Sequence, residues 1–390
     1  MKTRIIQYQL ADPPPIIWGL EGYQRVLALV RRGVTPVALT TIALRPGQTT
    51  LTRAEIARAV APGLNRAGAP KAVETNVEMP RAPISVIVCT RDRPLALARC
   101  LAALRTQEYP VYEVVVVDNA SRGDATAKVV AATPFRYVRE ERPGLDWARN
   151  RGIDEARYDI IAYVDDDAQA DPHWLTGLAS AFADPRVATV TGLVLPAELE
   201  TRAQHLFEQY GGMSKGIFPR VFARETMREY ELIAAHTVGV GANMVFRKTV
   251  FDRVGLFDTA LDVGTPAGGG GDLDMFHRVL TAGLTLRYEP AAIVWHQHRR
   301  DWASLRRQVY NNGRAFGVYL LKILRTGQIN RVSLVMFAAR WFIGWVLARV
   351  FHSLIGWLRF PPDLAFAELW GALRAPWAYY ETYKRVRGTR

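Results

Sequence analysis

Short apolar runs alternate with helical periodicity across residues 84–300. "ISVIVCT" (84–90) and "YEVVVVD" (112–118) are continuous β-branched runs, the pattern of parallel strands buried on both faces. Between them "PLALARCLAALRTQ" (94–107) repeats apolar residues at helical spacing, and "YDIIAYVDDD" (158–167) is a further strand that runs into three aspartates. Strand, helix, strand, helix predicts a doubly wound α/β sheet, whose ligands bind off the carboxyl ends of the strands. Three polar clusters fall at those ends: "TRDRP" (90–94), "DNAS" (118–121) and "DDD" (165–167). They are expected to converge in one crevice.

The pattern changes on either side. Residues 1–80 contain "GYQRVLALVRRGVTPVALTTIAL", two β-rich runs about a Gly-Val-Thr-Pro turn, which predicts a hairpin. "TRAEIARAVAPGL" then predicts a helix with Thr52 as N-cap, and "EMPRAP" (78–83) reads as a linker. This accessory unit carries no recognisable chemistry. From residue 301 the chain turns helical and apolar. Arg340 and Arg349 interrupt "SLVMFAARWFIGWVLARVFHSLIGWLRF" (333–360), leaving apolar stretches shorter than the roughly 20 residues a spanning helix needs. The segment predicts an interfacial helix or re-entrant hairpin with snorkelling arginines, or else a helical pair packed on the protein or on a second subunit. The expected organisation is 1–80, 81–300 and 301–390, the last ending in a basic tail.

Composition narrows this further. With 49% hydrophobic and 22% charged residues over 390 positions, the chain is globular rather than disordered. A net charge of +13 suits nucleic acid, anionic lipid or a phosphorylated small molecule, and charge alone does not choose among them. Two cysteines, Cys89 and Cys100, are too few for a disulfide framework and read as reduced core residues. The opening residues hold no apolar run long enough for a signal peptide, so the expected location is inside the cell.

Four clusters carry candidate chemistry. Carboxylates at a strand end can share a hard divalent cation, and Asp165 and Asp167 have the spacing for it; the alternative is a solvated acidic turn. In "GTPAGGGGDLDMFHRVLTAG" (264–283), Asp272 opens a helix after four glycines, either as a general base on a closing lid or as an N-cap. Asp274 is expected to face the sheet or cap that helix. His296 and His298 alternate on a strand-like run and share a face, fit for one metal or for a basic surface patch with Arg299 and Arg300. Arg149 and Asn150 in "RPGLDWARNRG" (142–152) suit a phosphate or a base, or surface carboxylates.

Taken together, "ISVIVCTRDRP", "VVVVDNAS", "PGLDWARNRG", "IAYVDDDAQADPHWL", "GANMVFRKTVFDRVGLFD" and "GGGGDLDMFHRVLTAGLTLRYEPAAIVWH" resemble glycosyltransferase family 2, inverting nucleotide-sugar-dependent enzymes of the GT-A fold. The resemblance spans about residues 82–300. It implies that Thr90, Arg91 and Asp92 line the nucleotide pocket, that Asp118 contacts base or ribose, and that Arg149 lies nearby. Asp165 and Asp167 match the DXD pair holding Mn²⁺ or Mg²⁺ on the donor diphosphate, with Asp166 beside them on the donor side. Asp167 is the expected direct ligand, and His296, with His298 behind it, is a further one. Gly241 and Asn243 in "GANMVFRK" match the wall facing donor sugar and acceptor, with Asp274 grouped on that side. Asp272 matches the catalytic base.

The glutamate that usually precedes this base is Gly271 here, removing a carboxylate that helps position the acceptor. The Gln-x-x-Arg-Trp motif of processive synthases is absent, which favours transfer of a single sugar. The implied partners are a UDP, GDP or dTDP sugar, a lipid-linked or glycan acceptor and a membrane surface, with no nucleic acid. The implied location is the cytoplasmic face of the membrane or, alternatively, the soluble cytoplasm. A nucleotidyltransferase is the rival enzyme class, but "TRDRPLAL" lacks the glycine-rich loop it would carry. The rival outside enzymes is a non-catalytic nucleotide-sugar-binding module.

Overall fold

The structure is a computed structural model that describes residues 1–66 and 82–388; most of the expected "EMPRAP" linker lies outside them. Strands β1 (Thr3–Gln9), β2 (Arg25–Arg32) and β3 (Thr35–Ala43) form an N-terminal sheet. β2 and β3 are the expected hairpin, closed with Arg32 opposite Thr35 and with Gly33 at φ 58°. β1 pairs parallel to β2, which the apolar pattern did not reveal. Helix α1 (Arg53–Arg66) packs on β3, and Thr52 and Glu55 cap its start reciprocally: each side chain accepts the other's backbone N–H. This unit is joined to the rest of the protein. Leu29 shares a core with Leu193, Leu195, Tyr288 and Ile293, and the buried Arg31 guanidinium grips Asp171 at 2.5 and 2.9 Å.

The central unit contributes β4 (Ile84–Thr90), α2 (Pro94–Leu104), β5 (Tyr112–Asn119), β6 (Arg136–Glu140), α3 (Leu145–Glu155), β7 (Ile160–Val164), β8 (Ala168–Ala170), α4 (Trp174–Ala181), β9 (Val187–Pro196) and α5 (Arg202–Tyr210). It continues with β10 (Arg220–Phe222), β11 (Asn243–Arg247), α6 (Gly271–Thr281) and β12 (Thr285–His296). The strands lie in the order β8-β12-β9-β11-β7-β4-β5-β6, with β10 beside β12. β4 to β7 are parallel, and the Val and Ile side chains of β4, β5 and β7 are buried on both faces, as the continuous apolar runs predict.

Two reversals in this sheet build the site. β11 runs antiparallel to β7, which sets Asn243 opposite Val164 and brings the start of β11 to the carboxyl end of β7. β8 runs antiparallel to β12 with Ala168 opposite His296, so the last residue of β12 falls beside the aspartates. The sheet is therefore mixed, and its reversed strands deliver residues to the same edge as the parallel ones.

Three long helices follow: α7 (Trp302–Thr326), α8 (Arg331–Leu354) and α9 (Pro362–Gly388). α7 and α9 pack so closely that a Cβ at Gly313 or Gly371 would run into the partner's backbone. The two arginines do not cut α8 short, contrary to the sequence expectation. It is one helix of 24 residues with a π-helical turn at Phe342–Leu347, and by length and composition it is apolar enough to cross a membrane. Arg349 is absorbed by burial, paired with Glu368 at 3.3 Å and stacked on Tyr210 and Trp345.

Candidate active site

The carboxyl ends of β4, β5 and β7 converge as expected, and hydrogen bonds tie their loops together. Thr90 Oγ1 donates to Asp166 Oδ2 at 2.7 Å, Asp92 N–H donates to Ser121 Oγ at 3.0 Å, and Arg122 N–H donates to Asp92 Oδ1 at 2.9 Å. Asp92 sits at φ 54°, the left-handed conformation an aspartate tolerates in a tight turn. The three aspartates are unequal. Asp166 is buried and spent on Thr90 and Arg93, whose Nη1 lies 2.9 Å away. Asp167 receives Arg93 Nη1 at 3.0 Å, His296 Nε2 at 3.2 Å and Arg299 at 3.7 Å. Asp165 has no ion pair among the described residues.

Their acidities diverge accordingly. Burial pushes Asp165 up to about 6, with Asp167 adding to the rise. Burial also pushes Asp167 up, but the hydrogen bond and charge of His296, then Arg93 and Arg299, overcome it and hold this carboxyl well below the usual range. Ligand atoms of Asp165, Asp167 and His296 all lie within 4.8 Å of one another. Two carboxylates and one imidazole suit Mn²⁺, and the carboxylates alone suit Mg²⁺.

The structure also orients the imidazole. His298 Nε2 faces Glu208 Oε1 at 2.7 Å, and its Nδ1 meets His296 Nδ1 at 3.1 Å. With the His298 proton on Nε2, its Nδ1 accepts from His296 Nδ1–H, so His296 turns Nε2 toward Asp167, the atom that would ligate a cation once the cation displaces the Nε2 proton. His298 is thus turned away to Glu208, and the expectation that both histidines ligate is corrected.

The other half of the crevice is built on α6. Gly268, Gly269 and Gly270 adopt φ of 79°, 135° and 108°, and the loop is packed on α7: Gly268 abuts the Arg314 guanidinium, and Gly270 faces the Ala315 carbonyl. The glycine run is therefore tightly packed. Asp272 then enters the first turn of α6. Its Oδ2 accepts from Gly241 N–H at 2.8 Å and its Oδ1 from Leu273 N–H at 2.9 Å. Gly241 is wedged: a Cβ there would stand 2.9 Å from Arg149 Nη2 and 3.0 Å from Asp272 Oδ2. Arg149 is buried, with Nη1 donating to Asp146 Oδ1 at 2.9 Å. Asp262 accepts Asp146 N–H at 2.8 Å and so caps α3, while burial pushes its carboxyl up to about 6.

Several expected site residues have other duties. Asn243 is fully buried; its amide donates to the Leu193 and Ala292 carbonyls and accepts from Trp174 Nε1, so it fastens β11 and α4 rather than facing a sugar. Asp274 is paired with Arg278 at 2.8 Å and Lys322 at 2.7 Å, which removes it from the acceptor side. Asp118 is fully buried at the end of β5, bonded to Tyr137 at 2.8 Å, to Arg139 and to Ser121 N–H. Arg91 is exposed, directly after the last residue of β4.

Other residues were missed. Arg93 bridges Asp166 and Asp167, and "TRDRP" carried the signal as a second arginine beside the acidic triplet. Asp146 and Asp262 were invisible as site residues, because their meeting depends on a contact 116 residues apart. Lys215 was missed as well; burial lowers its pKa while the Asp272 charge acts against that shift.

Residues 85–255 match the family model described as glycosyl transferase family 2. The pre-mycofactocin glycosyltransferase of Mycobacterium tuberculosis is 27% identical over 261 residues, 62% of this chain and 50% of that protein. The chain thus spans about half the length of that relative. The succinoglycan biosynthesis protein ExoM of Rhizobium meliloti is 27% identical over 247 residues, 60% of this chain and 74% of that one. Among solved structures, the mannosyltransferase PcManGT of Pyrobaculum calidifontis, in complex with GDP-Man and Mn²⁺, aligns with a TM-score of 0.53 at 17% identity. The alignment covers 76% of this chain and 88% of that one, a likeness of fold.

Proposed function

The chain is a member of glycosyl transferase family 2 through residues 85–255, and from that premise we propose that it transfers one hexosyl or deoxyhexosyl residue from a nucleoside-diphosphate sugar to an acceptor hydroxyl with inversion. The observation that carries this reading is one crevice with two chemistries: Asp272 at the start of α6, and the Asp165–Asp167–His296 group at the strand ends, with Arg149 between them. In this reading Asp272 takes the proton of the acceptor hydroxyl as that oxygen attacks the anomeric carbon. Gly241 N–H fixes the carboxylate, and Arg93 and Arg299 hold charge on the donor's diphosphate side. Bound at Asp165, Asp167 and His296, Mn²⁺ or Mg²⁺ supplies Lewis acidity toward the leaving diphosphate. The nucleotide is UDP, GDP or dTDP. A thermal-shift screen of those sugars with Mn²⁺, followed by release of free nucleoside diphosphate, tests the proposal. Wild-type release that is indifferent to chelator would remove the metal from it.

The acceptor is proposed to be lipid-linked and reached from a membrane surface. Val335, Met336, Ile343, Phe351 and Leu354 are exposed along α8, Trp357 is 79% exposed just beyond it, and Phe366, Trp370, Leu373, Trp377 and Tyr380 follow on α9. Such a concentration of outward aromatic and aliphatic residues on a strongly basic chain suits an anionic bilayer. Sedimentation with phosphatidylglycerol vesicles should be lost on Ile343→Glu/Phe351→Glu. Unchanged sedimentation would place the contact elsewhere.

A further inference from the structure

Gly271, immediately before the candidate base, has no space for a side chain. A Cβ there would overlap the carboxylate of Asp146, which reaches in from α3. Asp146 is only 1% exposed, and its Oδ2 has no hydrogen-bond partner among the described residues. Its Oδ1 holds Arg149 Nη1 at 2.9 Å. The other terminal nitrogen of Arg149 faces Gly241, whose N–H holds Asp272. Arg149 and Asp272 thus stand on either side of one glycine, and they do not form an ion pair. A guanidinium this close to a carboxylate in a desolvated crevice is drawn toward it unless another anion holds it.

We propose that Asp146 is a positioning residue that keeps Arg149 off Asp272. This rests on the reading of Asp272 as the base. A carboxylate in direct contact with a guanidinium loses affinity for a proton, and a base so paired cannot accept one from a hydroxyl. Asp146 prevents that pairing and leaves the Gly241 and Leu273 N–H groups to aim Asp272. Gly271 is the complement of the arrangement, because only a residue without Cβ admits the Asp146 carboxylate against the first turn of α6. The carboxylate missing from position 271 is therefore replaced, in space, by one from α3, in a buried role that does not touch substrate.

The test is Asp146→Asn in the full chain, read in two ways. Its crystal structure should show Arg149 within ion-pair distance of Asp272 and the Asp272–Gly241 contact broken. With Mn²⁺ and GDP-mannose, UDP-glucose or dTDP-glucose, nucleoside diphosphate release should fall at least tenfold in kcat, with the KM for the donor within twofold. An Arg149 that stays in place, or an unchanged kcat, overturns the proposal. If wild type releases nucleoside diphosphate from none of these sugars, the transferase reading loses its support, and the crystal comparison still decides the positioning claim. Gly271→Ala pushes on the same contact from α6 and should displace Asp146 with the same consequence for Arg149; it serves if Asp146→Asn does not fold.

Discussion

The two halves of the crevice hold the same number of aspartates and opposite shares of positive charge. At the strand ends, Asp165, Asp166 and Asp167 are met by Arg93, Arg299 and His296. At α6, Asp146, Asp262 and Asp272 have Arg149, which is committed to Asp146, and the Lys215 charge near Asp272. The first half can keep a carboxylate ionised at any ordinary pH and present it to a cation. The second keeps its carboxylates poorly compensated, so burial raises Asp146 and Asp262. Burial raises carboxylates on both sides, Asp165 and Asp166 included, and on the metal side Asp167 alone is held charged, by His296, Arg93 and Arg299. The two halves differ in where positive charge gathers: three cationic groups around Asp167, and one guanidinium tied to Asp146 beside the base.

The comparison can be broken most severely at Asp167, which three cationic groups share. Asp167→Ala should weaken Mn²⁺ binding by on the order of 100-fold, read by isothermal titration. Asp166→Ala should cost on the order of tenfold, because Asp166 acts through Thr90 and Arg93 rather than as a ligand. Equal losses would mean that the aspartates are interchangeable and the assignment of Asp167 is mistaken.

A structural support of the first half can be removed from outside it. Asp171, four residues beyond Asp167, is clamped by Arg31 of the N-terminal sheet. Arg31→Met would leave that carboxylate buried and unpaired, at a cost of about 3 kcal/mol in denaturant unfolding. A cost near zero would show that the N-terminal sheet does not brace the metal side.

The smallest effect is a sharpening of the second half by pH. The folded state raises Asp262 to about 6, so it binds this proton more tightly than the unfolded chain does. That contribution is complete below the unfolded value and is lost as pH rises through 6. Relative to Asp262→Asn, wild type should lose about 1 kcal/mol between pH 5 and 7.5. A gain over that interval would reverse the electrostatic picture of the α6 side.

What could be read in the sequence divides along similar lines. The strand ends were legible because each is a local pattern: a buried run followed by polar residues, with α/β topology forcing the ends together. The unequal fates of Asp165, Asp166 and Asp167 follow from Arg93 and from the β8–β12 pairing, and the latter is not local. Asn243 and Asp274 were misassigned because a polar residue next to a functional motif reads the same whether it faces a ligand or fastens the core. Their partners, Trp174 and Lys322, lie 69 and 48 residues away. The second half was least legible, since Asp146 and Gly271 explain each other only in three dimensions. α8 shows the reverse failure: two arginines looked like interruptions until burial with Glu368 absorbed one of them.

The central claim is that Asp272 is the base and the strand-end aspartates hold the metal. Asp272→Asn separates the two in one measurement of nucleoside diphosphate release and donor binding, made with Mn²⁺ on the donor chosen by thermal shift. The account predicts donor and Mn²⁺ affinity within about twofold of wild type and release reduced by on the order of 10²–10⁴-fold. Near-wild-type release, or loss of donor binding in step with activity, would contradict it.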